Sequence, residues 1–230
     1  MLIRIKGAIS NCYLLVGERP VLVDTGAPGD LRRILAALKH HGLKVEQLAL
    51  ILLTHGHSSS AGCAAELRRL SQAQVAMHAG DLTLVRHGRN GVLAAQSPFA
   101  RLLRPFVDEP FEAFEPDLVF QEGISLEPYG VRGTILPTPG HTPGSISVVL
   151  ASGEAIIGDV LRGSLLWPNQ ARSHYYCNDP EKNHRSIVRL AREGLLRCYP
   201  GHFGSFPGTQ LGRHLDTTSG EIFELSGERA

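Results

Sequence analysis

The sequence predicts an α/β fold, and three observations carry that prediction. Short β-prone runs alternate with amphipathic helical runs along most of the chain, the rhythm of a layered α/β architecture. The run Leu48 to Leu53 is apolar without a break, as a strand covered on both faces is. Apolar residues make up 43% of the 230, enough for a sizeable core and too many for a disordered chain.

The elements follow in order. Leu2 to Lys6, Asn11 to Val16 and Val21 to Val23 are short strands separated by Gly and Pro, and Asp24-Thr25-Gly26 turns the chain after the third. Pro28 opens a helix in which Leu31, Ile34, Leu35 and Leu38 recur on one face, and Gly42 stops it. Leu48 to Leu53 ends abruptly in Thr54-His55-Gly56-His57, followed by three serines. A serine N-cap then leads into a helix over Ala61 to Leu70, and Gln74 to Met77 is the next strand. Residues 88–117, broken by Pro98, Pro105, Pro110 and Pro116, form a lid or a connector. Strands resume at Leu118 to Phe120, Ile124 to Leu126, Val131 to Leu136, Ser145 to Leu150 and Ala155 to Ile157. Asp179-Pro180 caps a helix bearing Ile187, Leu190, Ala191 and Leu195. Leu196 to Tyr199 is the last strand, and a helix is expected near residues 208–216. No linker is evident, so one domain over residues 1–230 is expected.

Composition removes several classes of function. Lys plus Arg number 23 and Asp plus Glu 22, a balance that argues against a general nucleic-acid binder and a polybasic membrane anchor. The longest apolar run falls far short of the ~20 residues of a membrane span. Gly7, Ser10 and Asn11 interrupt anything like a signal-peptide core. Cys12, Cys63, Cys177 and Cys198 are scattered, which favours a reducing cytoplasm over a disulfide scaffold. The partner expected is a small-molecule substrate, with no nucleic acid and no membrane, and a homodimer is left open.

Eleven histidines are the unusual count. Four of them and one carboxylate follow predicted strands: His55, His57, His141, Asp159 and His202. Ligands in α/β proteins collect in the loops beyond strand ends. A His-x-His pair in an extended or turning segment can present both rings to one metal ion, and a third His from another loop completes a three-nitrogen face. One tetrahedral position then stays open for water, the arrangement of a catalytic site. His40 and His41 suit a helix C-terminus, and His78, His87, His184 and His214 read as structural or solvated. His174, beside Tyr175 and Tyr176, is placed facing a substrate. Arg162 or Arg172 could meet an acidic group of that substrate.

The order His55-x-His57, then Thr138-Pro139-Gly140-His141-Thr142-Pro143-Gly144-Ser145, Asp159 after Gly158, and Pro200-Gly201-His202 resembles the metallo-β-lactamase superfamily, as does the early Asp24-Thr25-Gly26 turn. The resemblance runs from about Asn11 to His202. It implies a four-layer αβ/βα sandwich, two mixed β-sheets with helices on the outer faces and a metal site at one edge. It also implies a first metal on His55, His57 and His141, a second on three further ligands including His202, and Asp159 bridging the two. The glyoxalase-like and lactonase-like hydrolases are closest in length and motif wording.

One departure stands out. The family's His-x-His-x-Asp-His reads here as His55-Gly56-His57-Ser58-Ser59-Ser60, so Ser59 and Ser60 occupy two ligand positions of the second metal. A neutral hydroxyl is a poor zinc ligand beside imidazole or carboxylate. Cys63, one turn on, reads as a small buried residue rather than a substitute. The cofactor expected is therefore zinc, one ion rather than two, with iron or manganese as alternatives. The implied function is hydrolysis of an ester, thioester or lactone through a zinc-bound hydroxide. Asp159 then takes over the orienting and base role of the missing Asp, and His202 assists. Lost base assistance is worth roughly 10²–10⁴-fold, so a slow enzyme is expected. The alternatives are a degenerate, catalytically impaired member that binds a metal or ligand, and a two-metal enzyme with substitute ligands.

Overall fold

The computed structural model describes the backbone of residues 1–226 and side chains through Thr217. The first sheet takes its strands in sequence order: β1 (Leu2–Lys6), β2 (Asn11–Leu15), β3 (Val21–Val23), β4 (Leu50–Leu52), β5 (Gln74–His78) and β6 (Leu118–Phe120). Pairing is antiparallel through β3 and parallel from β3 to β6. Between these strands run α1 (Leu31–His40), α2 (Ser58–Ala61), α3 (Ala64–Ser71), α4 (Leu82–His87) and α5 (Pro98–Val107).

The second sheet uses β7 (Gly133–Pro137), β8 (Ile146–Leu150) and β9 (Glu154–Gly158). After the short hairpin β10 (Arg162–Gly163) and β11 (Ala171–Arg172) and the helix α6 (Pro180–Arg192), it is completed by β12 (Arg197–Pro200) and β13 (Phe206–Pro207). Its order is β13-β12-β9-β8-β7, with β9 and β12 parallel. The helix α7 (Thr209–Ser226) closes the described chain.

Side-chain alternation assigns the layers. Tyr13, Leu15, Val21, Val23, Leu50 and Leu52 point between the sheets, where they meet Ile135, Ile146, Val148 and Ile156. The opposite faces, through Leu14, Leu22, Ile51 and Val75, pack under Ile34 and Leu38 of α1 and Leu67 of α3. Ala155 and Ile157 do the same under Ile187 and Leu190 of α6 and Leu211 of α7. The result is the αβ/βα sandwich that the resemblance implies. The unbroken apolar run at Leu48 to Leu53 is explained, because β4 is covered on both faces.

Local expectations needed four corrections. The helix expected over Ala61 to Leu70 is two helices, α2 and α3, parted at Gly62-Cys63. Gly62 packs against the backbone of Ala27 and Pro28 with no room for a side chain, and the Cys63 N–H goes to Thr25 Oγ1. No serine caps this helix; His57 holds the N-cap position, without a side-chain bond, and the serines begin the helix itself. α1 starts three residues after Pro28, because Asp30 turns its carboxylate back to the Ala27 and Ala8 N–H groups. Ile124 to Leu126 makes only an isolated bridge to β7, since Glu127-Pro128 turns the chain at once. Among the described residues no helix is long and apolar enough to cross a membrane.

Candidate functional site

Chain segments from both sheets converge at one edge of the sandwich. β3 ends in Asp24, β4 runs into Thr54-His55-Gly56-His57, the turn between β7 and β8 carries His141, β9 leads to Asp159 and β12 to His202. His174 arrives from the loop after β11. The two sheets are stitched beside this edge by Ile146 N–H to the Thr54 carbonyl at 2.8 Å and Asn11 N–H to the Gly201 carbonyl at 2.7 Å. A side chain at Gly201 would collide with Asp159 Oδ1, so glycine there is a condition of the carboxylate's position.

Ligand-competent atoms of His55, His57 and His141 lie within 4.8 Å of one another, and so do those of His141, Asp159 and His174. His57 Nδ1 stands 3.0 Å from His141 Nε2. Asp159 Oδ2 is ringed by four Nε2 atoms: His202 at 3.3 Å, His174 at 3.4 Å, and His55 and His141 at 3.5 Å. A charged hydrogen bond to a carboxylate runs near 2.7–2.9 Å, and one oxygen has about two lone-pair sites. Four nitrogens at these distances are therefore not four hydrogen bonds. Two ligand atoms at about 2.1 Å from one tetrahedral cation stand about 3.4 Å apart, which is the spacing found here. His55 Nε2, His57 Nε2 and Asp159 Oδ1 are buried without a hydrogen-bond partner. This donor set, imidazole nitrogen with one carboxylate, fits a zinc-like divalent cation.

Surrounding groups fix the tautomers. Thr54 donates its N–H to Asp24 Oδ1 at 2.7 Å and its hydroxyl to Asp24 Oδ2 at 2.8 Å. The hydroxyl oxygen is left to accept from His55 Nδ1, 3.0 Å away. His141 Nδ1 donates to the Tyr176 carbonyl at 2.9 Å and His202 Nδ1 to the Ile9 carbonyl at 2.8 Å. Each ring thus carries its proton at the back and offers a bare Nε2 to the centre.

Charge follows the same logic. Burial pushes His55 down to about 3 and His174 to about 4, and holds His57 and His141 well below the usual range, so these rings stay neutral and keep their lone pairs. Burial also lowers His202, but Asp159 beside it outweighs that and raises it. Burial alone would raise Asp159, yet His202, His174 and His55 hold it well below the carboxylate range. Asp24, in the left-handed region at φ 62°, is pushed up to about 8 by burial against the pull of its Thr54 bonds.

Asp81 carries no motif that marks it in the sequence. This buried carboxylate accepts from Gly56 N–H at 2.8 Å, Thr142 Oγ1 at 2.6 Å and Gly144 N–H at 2.7 Å. It clamps the His55–His57 loop to the His141 loop. Asn90 holds the same loop from the other side, accepting from Ser58 N–H at 2.6 Å and donating to the Val107 carbonyl at 3.2 Å. Asp81→Ala strands three donors in the interior, each costing about 1–3 kcal/mol. Part of that is offset by the cost of burying the carboxylate. Urea denaturation of the metal-free protein should show a loss of roughly 3 kcal/mol.

Other expected positions sort out as follows. Ser60 is buried, with Oγ 3.3 Å from His55 Nδ1, and its carbonyl accepts from Thr25 N–H and Thr25 Oγ1. Ser59 lines a cavity of about 600 Å³ and accepts from Ser10 Oγ through its carbonyl. None of these bonds involves Asp159 or His202. Cys63 Sγ turns to the Ala27 carbonyl at 3.2 Å, the small buried residue expected. His57, His141, Asp159, His174 and His202 form the cavity floor, with Leu103 and Val107 of α5 on one wall, so residues 88–117 do border the site.

Tyr175 lines the cavity under the Arg162 guanidinium, which lies 4.1 Å from its ring centre. Arg172 instead bonds to Gln170. Tyr176 sends its hydroxyl to the Ala100 carbonyl at 2.7 Å. His174, placed toward a substrate by its neighbours in sequence, turns to Asp159.

Comparison with known proteins agrees with this architecture. The family model for the metallo-beta-lactamase superfamily matches residues 5–197. A probable metallo-hydrolase of Methanocaldococcus jannaschii is 28% identical over 207 residues, covering 85% of this chain and 88% of the relative. An acyl-coenzyme A thioesterase of Bos taurus is 28% identical over 236 residues, covering 90% of this chain and 78% of the relative. The crystal structure of a metallo-beta-lactamase family protein from Thermus thermophilus superposes with a TM-score of 0.74 at 26% identity, over 98% of this chain and 81% of that one.

Proposed function

The chain belongs to the metallo-β-lactamase superfamily, and from that premise we propose that it is a metal-dependent hydrolase of activated acyl compounds, thioesters before esters and lactones. The observation that carries this reading is the convergence of three imidazoles, His55, His57 and His141, beside a substrate-sized cavity that His57 and His141 line. A divalent cation held by them supplies Lewis acidity, lowering the pKa of a water and polarising a carbonyl.

The protein's own groups do the rest. Asp159, held ionised among the histidines, can accept a hydrogen bond from a water and orient it, and as the carboxylate lining the cavity it is the candidate proton acceptor. His202 lines the cavity beside Asp159 and can assist by accepting a hydrogen bond from a water or the substrate at Nε2. With Ser59 in place of a second carboxylate, assistance is limited. That favours a substrate whose leaving group needs little help, and a thiol of pKa about 8.5 departs more easily than an alcohol. Leu103, Val107 and Leu165 give the cavity an apolar wall for an acyl chain. Arg4 and Lys6 stand exposed among its lining residues, where an anionic carrier would meet them. Resemblance to the acyl-coenzyme A thioesterase supports the same choice.

The test is a panel of acyl thioesters, aryl esters and lactones offered to the chain before chelation, after it, and after reloading with zinc, manganese or iron(II). Thioester hydrolysis that chelation abolishes and reloading restores is the expected result. A loaded chain that cleaves none of the three classes leaves the degenerate, ligand-binding reading in its place.

A further inference from the structure

Ser59 and Ser60 remove two ligands from the position beside Asp159 and His202, and two remaining groups are too few for a tight cation site. The fold brings a third. His174 is buried, and its Nε2 lies 3.4 Å from Asp159 Oδ2, matching the 3.3 Å of His202 Nε2 on the same oxygen. The His174 and His202 ring centres are 5.2 Å apart. Asp159 Oδ1 is buried and has no partner.

The support behind His174 is also that of a ligand. Its Nδ1 lies 3.0 Å from the Tyr176 carbonyl, the oxygen that also takes the proton of His141 Nδ1 at 2.9 Å. One carbonyl thus orients two rings, whose centres lie 4.5 Å apart and whose Nε2 atoms both face Asp159 Oδ2. The Tyr176 N–H lies 3.2 Å from the same His174 Nδ1, which would suit the opposite tautomer. Those two contacts exclude each other, and the shorter one leaves Nε2 bare.

We infer that His174, Asp159 and His202 form a second divalent-cation site, in which His174 stands in for the ligands lost at Ser59 and Ser60. Asp159 Oδ2 is then the corner shared by two donor sets, His55, His57 and His141 on one side and His174 with His202 on the other. The donors are two imidazoles and a carboxylate, a set for zinc, iron(II) or manganese rather than for calcium or magnesium. Two ions per chain replace the one that the serines predict. The inference concerns cation uptake and stands apart from the hydrolase reading, which could fail on substrate while this one holds.

Metal content decides it. The chain is stripped with chelator, reloaded with zinc, desalted and measured for zinc per chain by mass spectrometry, with circular dichroism as the check on folding. The wild type should hold two ions, and His174→Ala one. His174→Gln should also hold one: it keeps a polar donor facing Asp159 but gives up the imidazole, so it separates a ligand from a hydrogen-bonding residue. His57→Ala should lose the other ion, and the double variant with His174→Ala should hold none. A wild type that saturates at one ion, or His174→Gln retaining the wild-type content, overturns the inference. A wild-type content retained by His57→Ala would instead strike at the first triad.

Discussion

His57→Ala is expected to take one divalent cation from the chain and to lower thioester hydrolysis by more than the 10–100-fold typical of losing an outer partner of a metal ligand. The ring is one of three whose donor atoms lie within 4.8 Å, and its Nδ1 is 3.0 Å from His141 Nε2. Alanine breaks the three-nitrogen face and leaves His55 and His141 with only an Asp159 oxygen that His174 and His202 also approach, so this side loses its ion. Folding should survive, because His57 borders the cavity and its Nε2 has no protein partner, so removing the ring opens space that water can fill. Metal content and turnover measured on the same sample check this. Unchanged metal content would remove the His55–His57 pair from the site.

That prediction was open to a reader of the sequence, and its neighbours show where such reading stops. Strands declared themselves where their surroundings are uniform: β4 is covered on both faces, so Leu48 to Leu53 is apolar throughout. Histidines 55, 57, 141 and 202 were visible because each follows a strand in a loop that includes a glycine. Asp81 carried no such signature. Its value comes from Gly56, Thr142 and Gly144, which reach it only after both sheets have formed. His174 is of the same kind, with its only sequence cue an adjacent pair of tyrosines, one of which is spent on the Ala100 carbonyl. The break at Gly62 depends on the close passage of Ala27 and Pro28, a contact no helical periodicity contains.

Asp159→Asn is the second large effect, and it separates chemistry from binding. The carboxylate oxygen is the common neighbour of four imidazole nitrogens, and a neutral amide cannot take over its charge. If the amide presents Nδ2 to that centre, its N–H groups bond to the bare Nε2 atoms and tie up the lone pairs a cation needs. As a base the amide is inert, and general-base help is worth roughly 10²–10⁴-fold, so kcat should fall by that factor or more. KM should move far less, because Leu103, Val107 and Tyr175, which bound the cavity, are untouched. Asp159→Glu should not rescue the loss, since another methylene moves the carboxylate away from the point that four imidazole nitrogens surround. A second consequence falls on His202. It loses the carboxylate that raises it, and its titration, followed by NMR in the metal-free chain, should shift downward. Were kcat to hold in Asp159→Asn while the His202 shift appeared as expected, Asp159 would be a positioning residue and the proton acceptor would have to be sought among the remaining floor residues, His174 first.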